Sequence, residues 1–422
     1  MKMSNKKIIM LIGAIILICS IIWYFWFDNY REKNNLLKDG DYISYFVKND
    51  EGEYELYKNP DESSEVIFKT IIDSGYAFDE EKSYCDSAEE LEFNYDDNTI
   101  FFITTGEEIA NCNLYFTDNY LYEEILINNS NSKNYNDAID FIKEKEAPNF
   151  NELSVVDEGV FADVNLNDTN YYFRGAVDNN WVYFAGFYWR IIRIDENNNI
   201  RLIYSGSVQP SLDESIVMKG AKTQLDETTV YNGSFKEKSY VNYNDSELYY
   251  GLIKWYEDNL KVSYSQFISS NLYCNETGES TTTVSDKLYG TNVYTTLFNS
   301  AERIRKNDTS PTYKCLESHS LEDVVATLTA DEVVYAGGKW GTENTSYYLY
   351  TNSNYWTISP HAYAKGNPNV LATMLYVGYD GSIQRSYGNI GARPVISLKS
   401  NILYTKGNGE YNNPYQIKKI GI

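Results

Sequence analysis

The chain has 422 residues, with 36 Lys and Arg against 60 Asp and Glu, a formal charge of −24 at pH 7. That balance excludes nucleic-acid binding and polybasic docking on an anionic lipid surface, because both need a basic face. Hydrophobic residues make up 43%, a globular proportion that excludes collagen, coiled coil, a polytopic membrane protein and a disordered acidic tail. The length suits about two or three domains.

Lys2, Lys6 and Lys7 precede an uncharged apolar run from Ile8 to Phe27. At about 1.5 Å per residue this run spans about 30 Å, one bilayer core. The lysines predict a cytoplasmic N-terminus. Trp23, Tyr24, Phe25, Trp26 and Phe27 close the run as an aromatic belt, where a cleaved signal would carry small residues. Residues 1–27 therefore predict a cytoplasmic tip and signal-anchor transmembrane helix, with the bulk of the chain outside the cell membrane. A cleaved signal peptide is the rival reading.

Cys19 falls in this span, and the other cysteines are Cys85, Cys112, Cys274 and Cys315. An even set in an exported chain reads as disulfides. Local pairing gives Cys85–Cys112 and Cys274–Cys315, each loop worth about 3–4 kcal/mol by chain entropy. Zinc would want close cysteine pairs or histidine partners, and the chain has only His319 and His361.

Residues 28–40 read as a stalk. Residues 41–120 hold short β runs, among them Thr99–Thr104 and Cys112–Thr117, a small β domain pinned by its disulfide. Residues 121–152 have helical spacing over Leu121–Ile127 and Ala138–Lys145, separated by an Asn/Ser run, and read as a helical, partly loose connector. Residues 153–422 mix strands and helices. Tyr188–Tyr204 reads as a hairpin turning at Asp195–Asn199. Ser246 is a candidate cap for a helix with Leu248, Leu252, Tyr256 and Leu260 on one face. Thr329–Glu332 has capping-box spacing, stopped by Gly337–Gly338. The chain then returns to β over Leu371–Val377, Ser382–Ser386 and Pro394–Lys399. The fold class is α+β, with terminal strands expected to pair.

Several runs resemble a family of exported, membrane-anchored proteins of low-GC Gram-positive bacteria: Tyr171–Asn180, Phe184–Ile194, Leu328–Gly338, Tyr355–Pro360 and Gly391–Leu398. The closing Gly-x-Arg-Pro run, after a Trp-x-x-Ser-Pro segment, further resembles the C-type-lectin-like fold that includes the formylglycine-generating (sulfatase-modifying) enzymes. The resemblance implies such a domain over residues 153–422, with loops as its binding face. It does not extend to that enzyme activity, which uses a C-terminal cysteine pair; Cys315 is followed by 107 residues without one.

No chemical motif replaces it. The nearest runs to a lectin calcium motif, Gln209-Pro210-Ser211 and Asn367-Pro368-Asn369, lack the carboxylate a hard cation wants. No cofactor is expected, although an acidic chain leaves room for a structural Ca²⁺. His361, near Ser359 and Trp356, is the better candidate base for a hydrolase, but a lone histidine is more often a surface or loop residue. Glu332 is more simply a capping acid than a catalyst. The remaining hint is aromatic: Trp340, Tyr355, Trp356 and Tyr387 are expected in loops near Arg385 and Arg393, where rings stack on sugars and anchor interfaces. Against this, Trp356 is also a candidate core residue and Arg393 a candidate buried ion pair. The expected function is a cell-surface binding or adhesion-type protein for a glycan, cell-wall polymer or protein. The alternatives are an extracellular cell-wall enzyme and a structural component of the envelope.

Overall fold

The computed structural model of the chain describes residues 42–417 apart from 49–52, 58–66, 69, 72–75, 80–81, 86–87, 95–98, 105–110, 133, 156–157, 165–167, 208–242, 289–290, 307–308, 316–318, 365–371 and 387–389. The expected anchor over residues 1–27, the stalk and Tyr387 lie outside the described residues. Among the described residues no helix is long and apolar enough to cross a membrane. The chain divides into two compact units, Met1–Asp118 and Asn119–Ile422.

The first unit is built on β1 (Tyr42–Lys48), β2 (Tyr54–Leu56), β3 (Tyr76–Phe78), β4 (Tyr84–Cys85) and β7 (Asn111–Asp118), with a separate hairpin of β5 (Ala88–Asn94) and β6 (Thr99–Thr104). β1 and β7 run parallel, which places β2 and β3 on the two flanks. Along β7, Cys112, Leu114 and Phe116 are buried at every second position, as a one-sided strand requires. They meet Tyr45, Ile71 and Phe78 in a small core. Cys85 and Cys112 stand directly opposite one another on β4 and β7 and are joined, with Cα atoms 4.1 Å apart.

The second unit opens with α1 (Leu121–Asn128) and α2 (Tyr135–Lys143). Leu121, Ile125, Leu126 and Ile142 from these helices are buried in its core. A nine-stranded sheet follows. It holds β8 (Gly159–Val164), β9 (Thr169–Arg174), β10 (Trp181–Phe184), β11 (Phe187–Ile194), β12 (Ile200–Tyr204), β13 (Ile268–Ser269), β21 (Val395–Leu398), β22 (Tyr404–Lys406) and β23 (Tyr415–Ile417). The central order is β13-β21-β12-β11-β10-β23-β22, with β8 and β9 joined at β11. The expected hairpin is β11–β12. Its turn closes on Asp195, whose Oδ1 accepts from the amides of Asn197 and Asn199, both at 2.9 Å. The C-terminal strands return to this sheet, β21 antiparallel to β12 and β23 parallel to β10.

A second sheet, β15 (Glu279–Leu288), β16 (Thr291–Phe298), β18 (Tyr355–Tyr363), β19 (Thr373–Val377) and β20 (Ile383–Ser386), is paired in that order. β14 (Asn271–Asn275) and β17 (His319–Asp323) form a two-stranded ladder, and Cys274 on β14 is bonded to Cys315. The longer helices of the rest of the unit are α3 (Glu247–Tyr256), α4 (Asn299–Arg305) and α5 (Ala330–Ala336). Ser246 caps α3 by accepting from the Tyr249 amide at 3.0 Å, and Leu248, Leu252, Tyr256 and Leu260 are buried. α5 starts with the expected capping box: the Thr329 hydroxyl accepts from the Glu332 amide at 3.1 Å, and Glu332 accepts from the Thr329 amide at 2.9 Å. It stops at Gly337, where φ is +122° and a Cβ would lie 2.0 Å from Ser154 Oγ.

Candidate functional site

The structure corrects the loop placement of two expected ligand-binding residues. Tyr355 and Trp356 lie on β18, all nine residues of which are buried, and both side chains are 0% exposed. The reason is that β18 is an interior strand, paired to β16 and β19 and buried on both faces. A proline such as Pro360 argues against a central strand, but the register shifts on either side of it absorb the missing donor. Arg393 joins Tyr355 in the same core, with its guanidinium 4.9 Å from the ring centroid. It donates to the carbonyls of Tyr204 and Leu349 and to Ser205 Oγ, at 2.9, 3.2 and 2.9 Å. These bonds go to neutral acceptors, where a carboxylate had been an alternative. In this conformation none of the three side chains presents a face to a ligand.

Trp340 packs in a different place, half-buried, and stacks at 5.3 Å on His361 with Arg305 4.7 Å over its ring. His361 is neither a surface nor a loop residue. It is 0% exposed on β18. Its Nε2 accepts from Arg305 Nη1 at 2.8 Å, so the ring proton sits on Nδ1, which donates to Thr373 Oγ1 at 2.8 Å. Burial, then the charges of Arg305 and Arg385, hold the imidazole well below its ordinary value and therefore neutral.

Charge is concentrated around the N-terminus of α5. Glu332 Oε1 lies 2.6 Å from Arg201 Nε and 3.6 Å from Arg193 Nε. Arg303 pairs with both Asp331 and Glu276 at 2.7 Å. Three buried carboxylates thus face three arginines, and the capping acid doubles as the hub of an ion-pair network. The cavity beside them measures about 30 Å³, far below the roughly 300 Å³ at which small-molecule pockets begin. Among the described residues no cluster of three or more His, Cys, Asp or Glu side chains is placed to hold a metal ion.

The larger cavity is an open groove of about 380 Å³, formed where the α1–α2 turn meets the loop 177–180 and the start of β8. Its walls carry Asn129, Asn131, Asp178, Asn179, Phe141 and Lys145. Asn129 follows the last residue of α1. Its Nδ2 donates to Ile125 O at 2.8 Å, and its Oδ1 accepts from Asn179 Nδ2 at 2.9 Å, tying the two walls together. Asn131 and Asp178 face solvent, and Phe141 on α2 is 36% exposed.

The loop 177–180 is held from below. Buried Arg190 donates to Val177 O and Asn180 Oδ1, with Trp181 beneath its guanidinium at 4.1 Å. Burial pulls Arg190 down to about 9, which leaves it charged at neutral pH. From the C-terminal side, Gly409 O accepts from Trp181 N at 2.7 Å, and a Cβ on Gly409 would lie 2.2 Å from Asn179 O. The groove is therefore pre-formed on a rigid support. Amides that donate and accept, beside an exposed ring, match a polyhydroxylated ligand with one apolar face.

Sequence reasoning missed this site. The Asn/Ser run after α1 reads as part of a loose connector, and the Asp-Asn-Asn of the Tyr171–Asn180 run carries only a family resemblance. The signal available was the abundance of amide side chains in both. No family model, curated protein or solved structure matches the chain.

Proposed function

We propose that the chain is a surface-displayed recognition protein, anchored through residues 8–27 and binding saccharide through the groove between the α1–α2 turn and the loop 177–180. The observation that carries this reading is the 380 Å³ groove, with its amide walls and the exposed Phe141 ring. Its volume lies in the range of small-molecule sites, about 300–1,000 Å³. The resemblance to C-type-lectin-like domains supports recognition through surface loops, without the calcium motif of their standard sugar site. The aromatic core residues Tyr355 and Trp356 have no part in the contact.

The test is a glycan screen with the purified full-length protein, followed by titration of the best hit into Phe141→Ala and Asn131→Ala variants. Both side chains are surface groups, so unfolding should stay within about 0.5 kcal/mol for Asn131→Ala and within about 1 kcal/mol for Phe141→Ala. Affinity should fall about tenfold or more on loss of the stacking ring. Unchanged affinity in both variants would move the site away from the groove.

A further inference from the structure

Lys145 sits two residues beyond α2, half-buried in the groove wall. Its ammonium donates to Val160 O at 3.0 Å and lies 5.2 and 5.6 Å from the ring centroids of Phe141 and Phe161. No ion pair to a carboxylate is found for it among the described residues, whereas the more exposed Lys254, Lys261 and Lys306 each have one. Water has been partly stripped from this cation, and two ring faces with one carbonyl stand in for it. The desolvation lowers its pKa from the ordinary lysine value. A half-dehydrated ammonium retains donor capacity, three N–H groups against one carbonyl, and its charge is uncompensated at contact distance. Phe141 connects it to the rest of the site, since the same ring forms the groove's exposed apolar surface.

We infer that the groove selects acidic saccharides, with Lys145 receiving the carboxylate of a uronic-acid-type sugar while the amide walls take its hydroxyls. This rests on the saccharide reading of the groove. In a chain of charge −24, long-range electrostatics would repel such a ligand, so selectivity must come from a short-range contact of this kind. A charge-assisted bond to a partly buried ammonium is stronger than a neutral one. The Asp178 carboxylate, which also lines the groove, disfavours a second acidic group and points to one carboxylate per binding unit.

The experiment uses the purified full-length protein and matched oligosaccharide pairs of equal length, one ending in a uronate and the other in the parent neutral hexose. The uronate form should bind about tenfold or more tightly. The preference should vanish in Lys145→Gln and persist in Lys145→Arg, and uronate binding should weaken as pH rises through the lowered lysine value. Equal binding of both members by the wild type overturns the inference and leaves the saccharide reading standing. A preference that survives in Lys145→Gln also overturns it, by assigning the carboxylate to another group. If no member of any pair binds, the saccharide reading of the groove falls and this inference falls with it. Far-UV circular dichroism of each variant separates lost binding from lost fold.

Discussion

Glu332 and Asn129 are both polar residues at helix ends, and they are used in opposite ways. Glu332, in the first turn of α5, is 2% exposed, and its oxygens are taken up by the Thr329 amide, Arg201 and Arg193. Asn129, just past α1, closes its own helix with one side of its amide and reaches Asn179 across a groove with the other. In the core network the buried charges are spent on one another beside a cavity of only about 30 Å³, although Arg201 Nη1 has no hydrogen-bond partner among the described residues. The groove is open to solvent, and its amides keep capacity that a ligand can use. Polar density alone does not mark a binding site; unspent capacity at a shaped surface does.

The comparison breaks most visibly in the core. Glu332→Ala leaves Arg201 buried without its carboxylate, leaves Arg193 with the more distant Glu196 alone and removes half of the capping box, and it should cost about 3–5 kcal/mol or prevent folding. Trp356→Ala should cost a similar amount, about 3–5 kcal/mol, through the cavity it leaves. Thermal or urea unfolding measures both. Replacing Cys274 and Cys315 by serine should cost about 4 kcal/mol at most by chain entropy over their separation of 41 residues.

His361 sharpens the contrast through pH. Its proton affinity is lowered in the folded state, so below its ordinary value of 6.5 the unfolded chain binds more protons than the folded one. Stability should therefore fall as pH drops from 6.5 toward the lowered folded value. His361→Gln should flatten the slope of that fall, which unfolding midpoints across the pH range would report. At the groove the expected order reverses. Asn131→Ala should barely move the unfolding curve yet weaken ligand binding. Gly409→Ala, far smaller as a chemical change, should distort the loop at Asn179, because φ is +83° there and its Cβ would collide with a carbonyl. Loss of binding in Gly409→Ala with an intact core would show that the loop's support, not only its side chains, sets the affinity.

What was legible in the sequence was local or nearly so. The capping box at Thr329, the Ser246 cap, the Asp195 turn and the two disulfides follow from spacing within a few residues or from cysteine parity. The burial of Tyr355 and Trp356 was not legible as a strand, because β18 is buried on both faces and has no alternation, and because Pro360 sits inside it. The groove was illegible for another reason. Asn129 and Asn179 are 50 residues apart, and each lies in a segment whose composition reads as linker or turn. Only the packing of α1 on the second core brings them to one surface.

The hairpin of β22 and β23 has a consequence for synthesis. β23 lies parallel to β10, and Gly409, between the two hairpin strands, braces the loop that shapes the groove. The walls themselves are encoded between residues 128 and 179, but their brace comes from residues beyond 400. A ribosome delivers the two ends of that assembly far apart in time. The emerging chain carries the groove's side chains without the geometry to use them until Gly409 has been made and β23 docks on β10. Recognition is thereby tied to synthesis of the segment beyond residue 400: products ending before Gly409 would hold every groove side chain and lack the brace that sets their loop.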